Sequence, residues 1–399
     1  MKTKHARLLI IAVFVIAVYS CSRLEPAARR NEDTLDGALD GLTHGQYAQH
    51  LAGDDAFNEE VFTSQTGLGP LFVATSCGSC HAGDGKGHPF TTLVRFGQVD
   101  STGNHFLTAG GPQLQNRAMP GFIPEQVPPG VASSKFTPPI NSGLGFLELV
   151  PDEDILAMAA ANNNNPDGVR GHPNWNYVPD FVEPRMGAIS INGKYIGRFG
   201  KKGAVYSLLQ QTVGAYNQDI GITSTYDEYD TYSLNAIDPE LTNKTVLDVV
   251  FYLQTLKAPV QRAASDEGVI KGKALFIQAG CETCHKQTLK TGYSPIESLS
   301  NKEFHPYTDL LVHDMGSGLD DGYTEGNAKT SEWRTAPLWG LGLAPKSQGG
   351  QFFLLHDGRA QSIEEAIQLH GGEATVSKNN FINLSSADKD ALVKFLKSL

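Results

Sequence analysis

The pattern Cys-x-x-Cys-His occurs twice in this chain of 399 residues, in SCGSCH (76–81) and in GCETCH (280–285). Two thiols at this spacing can bond to the two vinyl groups of one haem, while the imidazole that follows binds the iron. The sequence therefore predicts two covalently attached haems c. The predicted attachment residues are Cys77, Cys80, Cys281 and Cys284, and the predicted iron ligands are His81 and His285.

Paired cysteines have two other common uses, and both remain open at this stage. The four thiols could form one zinc site, but the pairs lie 204 residues apart and each following histidine would be a coincidence. Each pair could instead be a redox dithiol, yet neither pair lies in the strand-then-helix pattern of thioredoxin-like folds. Haem attachment explains the histidines as well as the cysteines, so the pattern favours it.

The N-terminus has the pattern of an export signal. Three basic residues precede the apolar run 8–18, which is too short to span a bilayer, and Val18-Tyr19-Ser20-Cys21 resembles the lipobox of bacterial lipoproteins. We expect a signal peptide over 1–20, lipid attachment at Cys21 and a linker over 21–44. The protein would then be a lipoprotein anchored on the periplasmic or cell-surface side, with the outer membrane as the expected location. A plain secreted protein with a free Cys21 is the alternative.

The charge of the chain excludes one class of partner. Removing the signal with its three cations changes the formal net charge from −11 to −14, and no basic run remains. Nucleic-acid binding depends on clustered Lys and Arg, so we expect no nucleic-acid partner.

Both haem motifs have similar surroundings, which suggests a repeated domain. Each follows a Leu-Phe pair, and each half closes with an amphipathic helix, predicted at 247–256 and 388–399. The alternative is that these are two unrelated surface helices. We predict a mainly α fold of two cytochrome c-like haem domains, at 45–260 and 261–399. The Gly-, Pro- and Asn-rich stretch 86–245 predicts long loop insertions in the N-terminal domain.

Residues 45–399 resemble the di-haem oxidoreductases of the peroxidase type, also called "thiol oxidoreductases", which are related to bacterial di-haem cytochrome c peroxidases and to MauG. The resemblance rests on six segments, and together they are specific: GPQLQNRAMPG (111–121), GLGFLELVPDEDI (143–155), QQTVGAYNQDIGITS (210–224), HDMG (313–316), EWRTAPLWGLG (332–342) and LLHDGRAQSIEEAIQLHGGEA (354–374).

The resemblance also suggests the sixth iron ligand of the second haem. Relatives place Met or Tyr fourteen residues after the histidine of HDG, and here His370 occupies that position. We expect His285 and His370 to ligate this iron, with Met315 as the second candidate. His370 could instead only cap the helix 363–369. His356 is expected at the haem edge, although it could be an ordinary loop residue.

The resemblance implies that the first haem is the peroxide-binding one, with an open or weakly held sixth position. His88, His105 and Met119 are candidate distal residues, and no spacing selects among them. A general acid-base residue is needed over this iron to move a proton between the two oxygens of peroxide. We predict Glu148, whose apolar neighbours would favour its protonated form. It could instead pair with an arginine.

Two further features carry weaker predictions. Trp175, Trp333 and Trp339 are available as an aromatic bridge between the haems, although most tryptophans are core residues.

The residues Asn163, Asn165 and Asp167 alternate along the chain as in a calcium loop, but no bidentate Glu follows. Relatives bind an inter-haem calcium partly through a loop before HDG, and the sequence 348–353 does not match it. Calcium is therefore an open expectation.

These features together predict a di-haem c-type oxidoreductase. It would reduce hydrogen peroxide with electrons from a small periplasmic donor, or use peroxide to oxidise a partner. A non-enzymatic di-haem electron-transfer protein and an iron-uptake accessory lipoprotein are the alternatives.

Overall fold

The computed structural model describes residues 31–100, 103–104 and 112–399. The signal peptide, Cys21 and His105 lie outside these residues. The chain divides into two units, Met1–Thr34 and Leu35–Leu399. In the first unit the described part contains a single 3-10 turn at Asn31–Asp33. The second is compact and carries both haem motifs. Within the described ranges, no helix is long and apolar enough to cross a membrane.

Helices outweigh strands in the described residues, at 35% against 13%, which confirms the mainly α prediction. The α-helices are α1 (His44–Asp54), α2 (Leu144–Glu148), α3 (Asp152–Asn162), α4 (Leu208–Ala215), α5 (Asn243–Thr255), α6 (Glu267–Gln278), α7 (Ala344–Ser347), α8 (Ile363–Leu369), α9 (Thr375–Ile382) and α10 (Ser386–Ser398). Helices α5, α8 and α10 agree with the helices expected from the sequence to within a few residues.

The strands are short, and every pair of them is antiparallel. They are β1 (Leu71–Phe72), β2 (Leu93–Phe96), β3 (Gln98–Asp100), β4 (Gly103–Asn104), β5 (Arg117–Ala118), β6 (Ser133–Phe136), β7 (Trp175–Asn176), β8 (Ser190–Ile191), β9 (Lys194–Ile196), β10 (Tyr229–Asp230), β11 (Asn235–Ala236), β12 (Leu289–Lys290), β13 (Glu303–Phe304), β14 (Val312–Asp314) and β15 (Glu332–Arg334). Pairing of β14 with β15 places His313 opposite Trp333.

The Leu-Phe pairs that precede the two haem motifs differ in conformation. Leu275 and Phe276 lie in α6, as apolar residues at helical spacing predict. Leu71 and Phe72 instead form β1. Pro70 and the neighbouring glycines disfavour a helix, and Gly69 lies so close to the carbonyl of Gly221 that a side chain would not fit. The repeat therefore does not extend to this element.

The buried apolar side chains of the described residues form three clusters. The largest contains residues from both sides of position 260, for example Phe146, Val249, Leu299 and Trp339. A second cluster lies wholly within 269–399, and a third, small one surrounds Trp333. The division into haem domains at 45–260 and 261–399, with insertions in the first, stays a prediction.

Helices α6 and α10 cross closely at Gly272. A methyl group added there would overlap the carbonyl oxygen of Ala391 and approach Cβ of Phe395. We expect Gly272→Ala to lower the free energy of unfolding by about 1–3 kcal/mol, because a packed backbone contact cannot yield. Urea denaturation followed by circular dichroism measures this change. Gly214→Ala in α4 is the matched control, since a methyl there meets no atom within 4 Å and the expected effect is neutral or stabilising. Equal losses in both variants would contradict the packing argument.

Candidate functional site

His81, His285 and His370 each place Nδ1 of the imidazole ring within hydrogen-bond distance of a backbone carbonyl oxygen. Nδ1 of His81 lies 3.1 Å from the carbonyl oxygen of Pro139, and Nδ1 of His285 lies 2.9 Å from that of Tyr307. Nδ1 of His370 lies 2.7 Å from the carbonyl oxygen of Ala366 in α8. Because a carbonyl only accepts, each Nδ1 must donate, and each Nε2 keeps its lone pair. This is how a protein fixes the tautomer of a histidine that binds a metal through Nε2.

The same three histidines are held in the neutral form. Burial lowers the pKa of His81 and of His285 to about 4, and it also lowers the pKa of His370. A neutral imidazole is the form that binds a metal. The two histidines predicted from attachment chemistry and the one predicted from resemblance therefore present the same donor atom in the same state.

One cavity of about 300 Å³ adjoins the second haem motif. Its lining includes Cys281, Cys284 and His285 together with both candidates for the sixth ligand, His370 and Met315. The rest of the lining is mainly apolar and aromatic, as a porphyrin requires. The cavity therefore fits a haem, and the fixed Nδ1 of His370 favours this residue over Met315 as the ligand.

The cysteine thiols have environments that disfavour the thiolate. Burial raises the pKa of Cys77 and of Cys281 to about 12 and that of Cys80 to about 11. A zinc site needs thiolates, whereas a thioether to haem is neutral. Among the residues described, the one group able to hold a metal ion includes a single cysteine, Cys284, together with Asp309 and His313. These observations favour thioether attachment over a four-thiolate zinc site.

His313 in β14 is bonded on both sides by carboxylates. Its Nε2 lies 2.9 Å from Asp309 Oδ2, its Nδ1 lies 2.7 Å from Glu373 Oε2, and Sγ of Cys284 is 3.6 Å away. Burial would lower the pKa of His313, but the two carboxylates hold it well above its usual value. Glu373 follows His370 by three residues, so this network ties β14 to the chain that carries the predicted ligand. Sequence reasoning missed it, because nothing in HDMG indicates either carboxylate.

The His313 network should make stability depend on pH. A group whose pKa is raised by folding stabilises fully below its unfolded pKa, about 6.5 for histidine, and this stabilisation is lost as pH rises through the higher folded pKa. We expect the melting temperature to fall above about pH 6.5 in the wild type and to depend less on pH in His313→Gln. That variant should also lose about 3–5 kcal/mol of unfolding free energy, because the buried carboxylate of Asp309 and the partly buried one of Glu373 lose their partner. Parallel pH profiles in the two proteins would contradict this role.

Trp333 and His356 form a stack on the wall of the same cavity. Their ring centroids are 3.6 Å apart and nearly parallel, and Lys202 Nζ lies 3.7 Å from the centroid of the Trp333 ring. His356 therefore lines the cavity, and its position at the haem edge stays a prediction. Trp339 also lines the cavity, whereas Trp175 packs against the largest apolar cluster.

The surroundings of the first haem motif contain a carboxylate, that of Asp219, which sequence reasoning missed. The backbone carbonyl of Asp219 accepts hydrogen bonds from the amides of Val73 and Ala74, just before Cys77. Burial raises the pKa of the Asp219 side chain to about 7, opposed by Arg95, and its charge acts on the thiols of Cys77 and Cys80. Asp219 lies 138 positions after His81, and only the resemblance of the segment 210–224 points to it.

The sequence of residues 132–399, more than half of the chain, matches the family model described as "Di-haem oxidoreductase, putative peroxidase". The chain belongs to this di-haem oxidoreductase family. The matched residues include the second haem motif, and the first motif lies before them. The two haems predicted from the cysteines agree with the di-haem character of the family.

Comparison of this di-haem oxidoreductase with solved structures gives distant likenesses. The di-haem peroxidase BthA of Burkholderia thailandensis is 15% identical, with 88% of this chain and 86% of that chain covered and a TM-score of 0.40. Hydrazine synthase of Kuenenia stuttgartiensis is 14% identical, with 94% and 98% covered and a TM-score of 0.38. A MauG-like protein associated with microbial copper homeostasis is 17% identical, with 50% and 68% covered and a TM-score of 0.30. No curated protein sequence matches the chain.

Glu148 of this di-haem oxidoreductase is buried, and both of its carboxylate oxygens accept hydrogen bonds. The amide of Leu208, the first residue of α4, donates to Oε1 at 2.7 Å, and Gln254 Nε2 donates to Oε2 at 2.8 Å. Glu148 therefore holds α2, α4 and α5 together rather than pairing with an arginine through a hydrogen bond. Its catalytic role stays a prediction.

The distal candidates at the first haem also have local roles. Nδ1 of His88 accepts a hydrogen bond from the amide of Phe90 and caps the 3-10 turn Pro89–Thr91. The amide of Met119 donates to the carbonyl of Pro70, next to β1. Neither contact selects a sixth ligand for this iron, which stays unassigned.

The predicted calcium loop contains a cation from the protein itself. Nη1 of Arg170 donates to the carbonyl oxygens of Asn162, Asn165 and Val169, at 3.1, 3.0 and 2.6 Å. Oδ1 of Asn165 accepts from the amide of Asp167. Backbone and amide oxygens that could bind calcium are thus already used in a turn. Calcium binding here stays an untested expectation.

Proposed function

We propose that the protein reduces hydrogen peroxide, or uses peroxide to oxidise a partner, with electrons that arrive one at a time from a small periplasmic donor. One hydrogen peroxide, two electrons and two protons give two water molecules. Haem iron supplies the one-electron chemistry. The proposal is supported by the family and by a difference between the two motifs. At the second motif, His285 and His370 both present a free Nε2 atom to one cavity. At the first motif, His81 alone among the described residues has its Nδ1 bonded to a backbone carbonyl in this way.

The two sites would therefore have different tasks. His285 and His370 would hold the second iron with two nitrogens, which suits storage of an electron and excludes peroxide. Such a pair gives a lower potential than His with Met. The first site, with one strong ligand, is left to admit peroxide. Trp333 and Trp339 both line this cavity and are the tryptophans available there to conduct electrons between the sites.

A general acid-base residue must take up and deliver the proton at the first site. Glu148 is the predicted carrier, and Asp219 is a second candidate because its pKa of about 7 suits transfer in both directions near neutral pH. The test compares peroxide turnover in Glu148→Gln and in Asp219→Asn, after the haem content of both variants has been verified. Slower peroxide turnover in Glu148→Gln alone supports the prediction. Slower turnover in Asp219→Asn alone assigns the task to Asp219.

The deciding experiment is ligand addition to the purified, haem-loaded protein. We expect cyanide or peroxide to shift the Soret band of one haem and to leave the other unchanged. The reduced and the mixed-valence states are tested as well, since the open site could require prior reduction. If neither ligand perturbs either haem in any redox state, the protein is an electron carrier with two closed haems and the peroxidase proposal fails.

We also propose that the mature protein is a lipoprotein on the periplasmic or cell-surface side, anchored through Cys21. The support is the N-terminal sequence alone. Cys21→Ser should move the protein from the membrane fraction to the soluble periplasmic fraction. Retention of this variant in the membrane would contradict the anchor.

A further inference from the structure

Four cationic side chains line the cavity of the second haem, and three of them, Lys86, Lys201 and Arg334, act on one another as one group. Lys86, Lys201 and Arg334 all contribute to its wall, together with the predicted iron ligands. The carboxylate of Asp357 is the one negative side chain that acts on the two lysines, whereas Lys86 and Arg334 both act on Lys201 as like charges. The carboxylate of Asp309 acts in the same way on Arg334, so the group has three cationic side chains against two carboxylates.

Hydrogen bonds within the protein do not compensate this charge. Lys86 Nζ donates to the carbonyl of Leu355 at a long 3.4 Å. Arg334 donates from Nε to the carbonyl of Gly200 at 3.0 Å and from Nη1 to that of Thr335 at 3.1 Å. For Lys201 Nζ, the described part of the chain offers no hydrogen-bond acceptor. These contacts are to neutral carbonyls or absent, so the wall presents unpaired cations to the cavity.

The neighbouring Lys202, in contrast, has hydrogen-bond acceptors and carboxylates around its positive charge. Its Nζ donates to the carbonyls of Lys329, Thr330 and Glu332, each at 3.0 Å, and lies over the ring of Trp333. Four carboxylates also act on it, those of Asp320, Asp321, Glu325 and Glu332. Lys201, one residue earlier, has none of these partners and faces the cavity instead.

Cations without an ion-pair partner are costly where water is largely excluded. Burial lowers the pKa of Lys86 to about 7 and that of Arg334 to about 10, and it lowers the pKa of Lys201 far below its usual value. A buried charge is retained where an opposite charge meets it. The occupant of the cavity should therefore carry negative charge at this wall.

Haem c carries such charge on one edge only. Its two propionate carboxylates lie on the porphyrin edge opposite to the vinyl groups, and the cysteines bind the vinyl edge. The charged groups that act most strongly on Cys284 are His313, Asp309 and Glu373, and Cys281 is acted on by Cys284 alone. Lys86 and Lys201 are not among them, and Lys201 instead contributes to the lowered pKa of His81. The lysines thus lie away from the cysteines, on the side of the first haem motif.

We propose that Lys86, Lys201 and Arg334 bind the propionate carboxylates of the second haem, on the side that faces the first haem. The inference rests on the two haems of this family and is independent of any reaction with peroxide. It also implies that protein side chains, and not a bound metal ion, supply the positive charge at this wall of the cavity. A calcium ion would have to enter beside three cations, which Coulomb repulsion disfavours.

The test uses the full chain with both haems attached. In Lys201→Met, resonance Raman spectra should show shifted propionate bending bands. Spectroelectrochemistry should show a lower midpoint potential of the second haem, because a nearby positive charge favours the reduced iron. Lys201→Arg keeps the charge and should stay close to the wild type. Lys290→Met removes an exposed lysine of β12 and should change neither measurement.

Two results would overturn the proposal. The first is a Lys201→Met protein with two attached haems whose propionate bands and potential equal those of the wild type. The second needs no variant: if a calcium chelator lowers the potential of the wild type and added calcium restores it, an ion and not the lysines supplies the charge. Neither result bears on peroxide reactivity, which the Soret experiment tests separately.

Discussion

Replacing His370 with alanine should convert one haem from low-spin to high-spin while both haems stay covalently attached. In the wild type, His285 and His370 line the same cavity, and each holds its Nδ1 on a backbone carbonyl. The His370→Ala variant keeps the thioether bonds and His285 but removes the second nitrogen. An iron with one strong ligand is five-coordinate or binds water weakly, which gives a high-spin state.

Ferric EPR spectra measure this change directly, because low-spin and high-spin centres give separate signals. Adding imidazole to His370→Ala should restore the low-spin signal, since the lost ring leaves space beside the iron. Met315→Leu is the control, because Met315 lines the same cavity and was the second candidate. If Met315→Leu changes the spin state and His370→Ala does not, Met315 is the ligand.

The parts of this site that could be predicted from sequence depend on short, local patterns. Attachment and proximal ligation follow from six residues at each motif, and the ends of α8 follow from Ser362 and the residues after Leu369. Ser362 accepts a hydrogen bond from the amide of Glu365, as an N-cap should. His370 was predicted only through resemblance, because the cavity that it lines is not formed by the segment alone.

The parts that could not be predicted depend on contacts between distant segments. Lys86 and Arg334 lie 248 positions apart and meet only in the folded cavity. Glu148 has the apolar neighbours of a catalytic acid, yet its oxygens bind the start of α4 and a side chain of α5. Apolar neighbours in sequence predict burial, but they do not predict which donors the fold brings to a buried carboxylate.

Replacing Cys281 and Cys284 together with alanine should remove one of the two haems and weaken the C-terminal part of the fold. No thiol remains to bond the vinyl groups, so the mass of the mature protein should fall by one haem. Cys281 also packs against the apolar cluster within 269–399, beside the cavity that the porphyrin would fill. Loss of this apolar contact should lower the melting temperature as well.

The reciprocal variant, with Cys77 and Cys80 replaced by alanine, separates the two sites. It should also lose one haem, but the remaining one should be low-spin and inert to cyanide, because His285 and His370 close it. The Cys281 and Cys284 variant should keep the haem that cyanide perturbs. Cys21→Ser should keep both haems and serves as the control for cysteine removal. If the haem left in the Cys77 and Cys80 variant binds cyanide, the open site is at the second motif. Electron storage would then belong to the first haem and peroxide binding to the second.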